Sequence, residues 1–458
     1  MEEKSENIQF QISNALIEKV ERLIDFRSDK ETLKLLNEFH YADIAEILDE
    51  LNFEQATYII KLLDSEKTSD ILTELDEDIR EKILKNLSAK EIAEEIEELD
   101  TDDAADIIAE LPEERQEIVI AQIEDEEHKA DIQELLTYAE DSAGGLMAKE
   151  LVSVNENWTV TQCVKEMRSQ AENVTRVHSI YVVDDNEKLI GRLSLKDLLV
   201  ANPREHISNF YIPKVDSVNV DEDAEDVARV MQKYDLEAIP VVDDEQTLLG
   251  RITIDDIVDV IKEEAEKDYQ LAAGITQEVE ADDSIFQLVK ARLPWLVLGL
   301  FGGLASVFIL EDFETLMSDP NVKKLFFFTP LIAAMAGNVG VQSSAIIVQG
   351  LANDIVKGSL LSRLLKEVGL SLINGLILSV LVIIFGFFMN YEISFSLTIA
   401  ISMLCVIIVA ALIGTFIPII LDKKGIDPAI ATGPFITTSN DIFGIFLFFY
   451  LAKLILHF

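Results

Sequence analysis

Asp441 is the only acidic residue between Pro428 and Phe458, and it falls inside the last long apolar run of the chain. Around it, Gly433, Pro434, Thr437, Thr438, Ser439 and Asn440 stand where a lipid-facing helix would carry Leu and Ile. A carboxyl at membrane depth costs roughly 2.5–3.5 kcal/mol on insertion scales, so it ordinarily faces a bundle interior or a water-filled path. Asp441 is therefore either a structural carboxyl bonded to a neighbouring helix or a cation site in a pore. A second apolar segment bears on the choice: Pro330–Ala352 crowds Gly337, Asn338, Gly340, Gln342, Ser343 and Ser344 into its centre. Small residues allow close helix approach, and the amides could line a wet path. One carboxyl per chain is too little for a metal cage, whereas a two-fold dimer would bring two copies of Asp441 to an axis. Mg²⁺ gives up its water reluctantly, so two carboxyls with several carbonyl or amide oxygens suit a mostly hydrated ion.

The rest of the chain supplies a strongly acidic front. The 458 residues carry a net charge of −46. From Arg292 onward nine basic residues meet ten acidic ones, so residues 1–291 hold −45 of the total. Such a front half repels nucleic acid and anionic lipid and concentrates cations. Glu91–Glu127 alone contains 17 acids and one base, Arg115. Most of these carboxylates read as a solvated face. So dense a cluster also suits screening by Mg²⁺ or Ca²⁺ through oxygen ligands, at weak shared sites, since no EF-hand loop is present. The histidines form no HExxH, and neither a Walker motif nor G-x-S-x-G occurs, so nothing reads as a hydrolytic site. Cys163 and Cys405 imply no disulfide framework. The opening MEEKSENIQF lacks the basic and apolar regions of a signal peptide, and none is expected.

Regular elements must position these residues. Leu51, Leu63, Leu75, Leu87, Leu99 and Leu111 recur every twelve residues. After each stands Asn52, Asp64, Asp76, Ser88, Asp100 or Pro112, five good N-caps and one proline suited to a first turn. Asn52 with Gln55 and Ser88 with Glu91 have capping-box spacing. The pattern predicts a stack of short helices that bury a core only against their neighbours. Next, the 21 residues from Ile180 match those from Ile239 at nine positions. Each copy predicts a buried strand, an Asp-Asp turn, a second strand ending in Gly-Arg, a third short strand and a helix. Amphipathic helices are predicted upstream at Thr161–Ser169 and Ala224–Tyr234. A helix from near Asp255 should end at Gly274, and an amphipathic stretch at Ser284–Leu293 leads into five apolar runs near 293–311, 325–350, 367–389, 395–421 and 429–456. Lys357, Arg363, Lys366, Lys423 and Lys424 would lie inside, while Glu311, Asp312, Glu314, Asp319 and Glu392 would lie outside with Lys323 and Lys324. That places the N-terminus in the cytoplasm and the C-terminus outside a multi-pass plasma-membrane protein.

The tandem copies resemble a CBS pair. In that family Ser194 with Asp197 and Thr253 with Asp256 fall where ribose contacts often occur; helix capping is the competing reading. As a whole the chain resembles the MgtE family of magnesium channels and transporters. The resemblance is carried by EDSAGGLM (Glu140–Met147), TDDAAD (Thr101–Asp106), GRITIDDIVDV (Gly250–Val260), the segment from Pro330 to Ser343 and the stretch Gly425–Gly444. It implies a multidomain membrane protein: an all-α superhelical domain (1–137), an α/β tandem CBS pair (138–200 and 201–262), a connecting helix (263–291) and a five-helix transmembrane domain (292–458). It also implies a homodimeric, Mg²⁺-selective channel closed by cytosolic Mg²⁺, embedded in lipid and binding no nucleic acid, with ATP at the CBS pair an open question. On the same resemblance Asp441 is the pore carboxylate and Asp427 lies near the inner mouth, with Asn338, Gly433 and Thr437 lining the path. Asp70, Asp102 and Asp106 would bridge through Mg²⁺ to Asp256, Glu264 and Asp268. Lys267 stands where an acid is expected, Gly433 replaces a polar residue and Ala336 a glycine. The alternative is a divalent-cation exporter coupled to Na⁺ or H⁺. It would need a coupling carboxyl, and Asp441 is the only one this reading finds within the spans. A membrane-anchored nucleotide sensor would need neither Asp441 nor the polar second span.

Overall fold

In a computed structural model the chain is described over residues 12–456, apart from 172, 173, 175, 278, 280, 282, 315–319, 354, 357 and 432. The opening decapeptide, Asp319 and Lys357 therefore lie outside the described residues. The chain divides into two units, Met1–Ile261 and Lys262–Phe458.

The first unit begins with short helices α1 (Asn14–Asp25), α2 (Asp29–Leu36), α3 (Tyr41–Asp49), α4 (Phe53–Ile60), α5 (Ser65–Glu74), α6 (Glu77–Leu84), α7 (Ala89–Ile96), α8 (Thr101–Ala109), α9 (Glu113–Ile120) and α10 (Glu126–Leu135). The twelve-residue period sets their starts. Asn52, Asp64, Asp76, Ser88, Asp100 and Pro112 each occupy the N-cap, so the proline sits one position earlier than its first-turn preference suggests. Both capping boxes form, Asn52 with Gln55 and Ser88 with Glu91. A helix of about two turns is marginal alone, and these are held by packing each on the helix two places along, as in α3 on α5, α5 on α7 and α7 on α9. Polar links repeat at the same interval. Lys61 Nζ reaches Glu91 at 3.3 Å, Arg80 pairs with Glu110, and Arg115 Nη2 donates to the carbonyls of Leu84 and Leu87 at 2.6 Å. Helices two places along start 24 residues apart, so one superhelical turn takes two helices, and these links span it. Its axis is filled by fully buried Ile44, Ile47, Leu48, Ile59, Ile71, Leu72, Ile83 and Leu84.

The tandem copies form two sheets. The first runs β1 (Val152–Asn155), β2 (Ile180–Val183), β3 (Leu189–Leu193) and β4 (Ile212–Pro213), with helices α11 (Val160–Gln170) and α12 (Leu195–Val200). The second runs β5 (Val218–Asn219), β6 (Ala238–Val242) and β7 (Leu248–Thr253), with α13 (Ala224–Tyr234) and the long α14 (Ile254–Ala273). Among the described residues the predicted third strand of each copy is not a separate element, since β3 runs to Leu193 and β7 to Thr253 before the helices begin. Gly191-Arg192 and Gly250-Arg251 lie inside single continuous strands, each paired to β2 or β6 with a register shift just before the glycine. The two hairpin turns clasp each other: Leu189 N–H donates to the Gln246 carbonyl at 2.9 Å and Leu248 N–H to the Glu187 carbonyl at 3.1 Å. Ser142–Ala148, just after the superhelix, pairs with the second copy. Ala143 N–H reaches the Glu222 carbonyl at 2.7 Å, Gly144 N–H the Val220 carbonyl at 2.8 Å, and Ala148 bridges Arg251. The acidic superhelix is thereby seated on the second module.

The second unit contains the end of α14, closed by Gly274 at φ +81°, and, among the described residues, five helices long and apolar enough to cross a bilayer. These are α15 (Ile285–Glu314), α17 (Thr329–Ala352), α18 (Leu360–Phe388), α19 (Ile393–Asp422) and α20 (Gly433–Leu456), with a short α16 (Pro320–Leu325) before α17. The amphipathic stretch predicted before the first span is not a separate element, since Ser284 precedes one continuous helix whose interior Pro294 does not end it. Arg363 and Lys366, expected in a loop, lie in the opening turns of α18. At the centre α19 packs against α17, α18 and α20, while α15 packs on α20. Close approach uses small residues: Gly414 of α19 lies against the Gly340 carbonyl, and Gly444 of α20 against the Ala336 β-carbon.

Candidate cation sites

The intramembrane site lies where α17 and α20 meet. A β-carbon on Gly337 would stand 3.1 Å from Thr437 Cγ2 and 3.5 Å from Asp441 Oδ1. The carboxyl of Asp441 thus rests on the glycine face of α17, where an alanine at 337 would touch it at ordinary contact distance and crowd Thr437. Thr437 turns its methyl to the same glycine and donates its hydroxyl back to the Gly433 carbonyl at 2.9 Å. Asn338, Gln342 and Gln349 are all exposed on the single chain. At 100° per residue they fall within about 40° of one another and span about 16 Å along α17. A row of three amides on a membrane helix faces water or another protein surface rather than acyl chains. Asp427 is exposed below, where its Oδ1 accepts the Ala429 N–H at 2.7 Å and starts the turn Pro428–Ala431.

Gly433, read from sequence as lining the path, touches the end of α14. At φ +43° its Cα faces the Ala272 carbonyl oxygen, and Gly274 lies against the Pro434 ring. The helix bearing Asp441 therefore begins on the last residues of α14. On that segment Glu264 pairs with Lys267 at 2.8 Å. Asp268, too, has a polar interaction.

A second acidic site lies within the first unit. Asp102 and Asp106 of α8 come together with Asp256 of α14, and Asp103, which sequence reasoning passed over, joins them. Burial pushes the Asp102 carboxyl well above the usual range, and the neighbouring charges of Asp256 and Asp103 push it further. Burial likewise raises Asp106 to about 7, against the opposing Arg80. Asp256 is raised by burial although Thr253 donates to its Oδ2 from both N–H (2.9 Å) and hydroxyl (2.8 Å). Asp103 and Asp106 keep solvent-open edges, so water tempers their shifts. Beside them Asp70 is raised by burial and Glu66, and Glu74 by burial and Asp259. Among the described residues no three His, Cys, Asp or Glu side chains converge closely enough to grip a bare metal ion. Oxygen donors spaced this way match a hard cation that keeps its waters.

Three further participants escaped the sequence reading. Arg251 is 5% exposed, donates Nε–H to the Glu150 carbonyl and pairs with Asp100 at 3.4 Å, placing one fixed positive charge inside the acidic contact. Glu150 Oε2 accepts the N–H (3.2 Å) and hydroxyl (2.8 Å) of Thr101, capping α8 in place of Asp100. Glu367 lies within α18 and accepts the Ser343 hydroxyl at 2.6 Å, so Asp441 is not the only carboxyl within the spans. Its signal was present in the sequence but was masked by the adjacent Lys366 and Arg363.

Comparison with known proteins is consistent along the chain. A family model described as a divalent cation transporter, MgtE, matches residues 329–451, and the MgtE intracellular N domain matches 39–141. The CBS domain matches twice, at 143–203 and 207–263. The magnesium transporter MgtE of Bacillus subtilis (strain 168) is 36% identical over 327 residues, 71% of this chain and 72% of the relative. That of Enterococcus faecalis (strain ATCC 700802 / V583) is 37% identical over 329 residues, 72% of each. A crystal structure of the cytosolic domain of the Mg²⁺ channel MgtE in complex with ATP, 35% identical, covers 53% of this chain and 99% of its own at a TM-score of 0.50. With the acidic superhelix, the CBS pair and five apolar helices in this order, the chain belongs to the MgtE family of divalent-cation transporters.

Proposed function

We propose that this protein conducts Mg²⁺ across the plasma membrane as a homodimer and admits it to a cytoplasm that holds the acidic front half. The single observation that carries the reading is the exposed amide row of α17 beside Asp441. A second copy meeting that row would enclose it, and two Asp441 carboxyls would face a hydrated ion with the amides of Asn338 and Gln342. The relatives' names as magnesium transporters support the choice of ion.

Gating is by negative feedback. The carboxyls of α5, α8 and the start of α14 repel one another when ionised, so their close contact needs a counter-ion. Mg²⁺ binding there favours the docked form, because a ligand shifts an equilibrium by its differential affinity for the two states. Asp70, Asp102, Asp106 and Asp256 hold this ion, while Glu264 and Asp268 extend the acidic path along α14. Docking then acts on the pore through α14, whose last residues abut Gly433 and Pro434. We assign ATP, present in the related channel's cytosolic domain, to Ser194 and Asp197 of the first copy. Ser194 makes no capping bond, whereas Thr253 and Asp256 bond each other.

The test is Mg²⁺ flux into vesicles holding the full chain. Asp441→Ala should abolish flux while the dimer persists in detergent; normal flux would return Asp441 to a structural role. Glu367 favours one second reading, an exporter coupled to Na⁺ or H⁺, because it adds the carboxyl such a cycle needs. Planar-bilayer recording separates them: unitary currents belong to a channel, and flux that stops without a Na⁺ or H⁺ gradient belongs to an exporter.

A further inference from the structure

Glu367 sits about 10 Å along α18, at 1.5 Å per residue from its start, and from Val368 to Phe388 that helix carries no ionisable side chain. Packing alone would be served by Leu at this half-buried position. The partner of Glu367 is Ser343, 5% exposed on α17, whose hydroxyl donates to Oε1 at 2.6 Å. α18 packs chiefly on α19, so the long glutamate side chain reaches past its own packing partner to fasten α17. Ser343 follows Gln342 directly, so the bond is set about 100° around the helix from the amide row. Rotating α17 by that angle would break the bond and turn Asn338 and Gln342 away from their uncovered face. α17 packs closely on α19 and α20, and the Ser343 bond adds a polar fastening to α18.

We infer that Glu367 is a positioning residue of the permeation path: through Ser343 it fixes the rotation of α17 and so aims Asn338 and Gln342. The inference rests on the pore reading above. Gln at 367 keeps an Oε1 that accepts the Ser343 hydroxyl, whereas Ala at 367 or Ala at 343 deletes the bond, so the contrast isolates acceptor geometry from charge.

The experiment uses the full chain carrying Cys163→Ser and Cys405→Ser, with Gln342→Cys as reporter and a membrane-impermeant cationic methanethiosulfonate as probe. The reporter should react readily in this background. Adding Glu367→Ala or Ser343→Ala should slow it about tenfold, the scale of losing one hydrogen bond, while Glu367→Gln should leave the rate nearly unchanged. If Glu367→Ala fails to assemble, Ser343→Ala removes the same bond and carries the test. A reactive reporter indifferent to both alanines overturns the inference alone, as does a Glu367→Gln chain slowed as much as Glu367→Ala. An inert reporter in the starting background overturns the pore reading and the inference together.

Discussion

The carboxamide of Asn440 rests on the Cα of Gly340, where α20 crosses α17. Asn440 is 1% exposed, and both its side-chain polar atoms lack a hydrogen-bond partner among the described residues. Any side chain at 340 would occupy the space of that amide. Gly340→Ala is therefore expected to destabilise the bundle by about 1–3 kcal/mol through overpacking. Adding Asn440→Ala should restore much of that loss, a coupling that a double-mutant cycle of detergent thermal melts would measure.

Arg251 supplies a fixed positive charge within the acidic contact of the first unit, as Arg80 does beside Asp106. Arg251→Gln removes the 3.4 Å ion pair to Asp100 and leaves the surrounding carboxyls less screened. The Mg²⁺ concentration needed to protect the α8 amides from hydrogen exchange should rise about tenfold, equivalent to ~1.4 kcal/mol. An unchanged Mg²⁺ midpoint would remove Arg251 from the docking equilibrium.

Glu95 of α7 gives the helical domain a pH dependence with a defined sign. Burial is the main cause raising its carboxyl to about 7, with Glu94, Glu98 and Asp64 adding and Ser65 opposing. In the unfolded chain it titrates near 4.5. The folded state thus holds its proton longer, and stability falls as pH rises between those values. Glu95→Gln should raise stability by about 1 kcal/mol at pH 8, after allowance for solvent screening. Below pH 4.5 it should change nothing. Amide exchange of α7 across this range in the full chain reads both limits.

Gly433 joins a left-handed backbone to a close approach. With φ at +43° and its Cα against the Ala272 carbonyl, alanine would meet about 1–2 kcal/mol of conformational strain as well as a collision. Gly433→Ala should part α14 from the start of α20, so vesicles should keep conducting at Mg²⁺ concentrations that silence the parent. Full inhibition of the variant would show that this contact does not carry the gate.

Much of this architecture is legible in sequence because it is local. A leucine every twelve residues followed by a capping side chain specifies where each short helix starts, and Asn52, Asp64, Ser88 and their companions fall at the N-caps. Long apolar runs specify spans because a bilayer leaves the backbone few other ways to satisfy its hydrogen bonds. Asp441 stands out as an acid in an apolar run, and the amides of α17 for the same reason. What needs sequence neighbours distant from one another is not legible in this way. Thr101 is capped by Glu150 some fifty positions later, Arg251 reaches back to Asp100, and the last residues of α14 meet Gly433. Nor did spacing reveal that Glu367 turns from its basic neighbours toward Ser343. By itself the sequence determined the elements and the unusual residues each carries, since capping, periodicity and hydrophobicity act within a few turns of chain. Only the tertiary structure decided which carboxyls share one low-dielectric contact and which face of α17 remains uncovered beside Asp441. Those outcomes depend on how whole helices pack, and no local rule contains them.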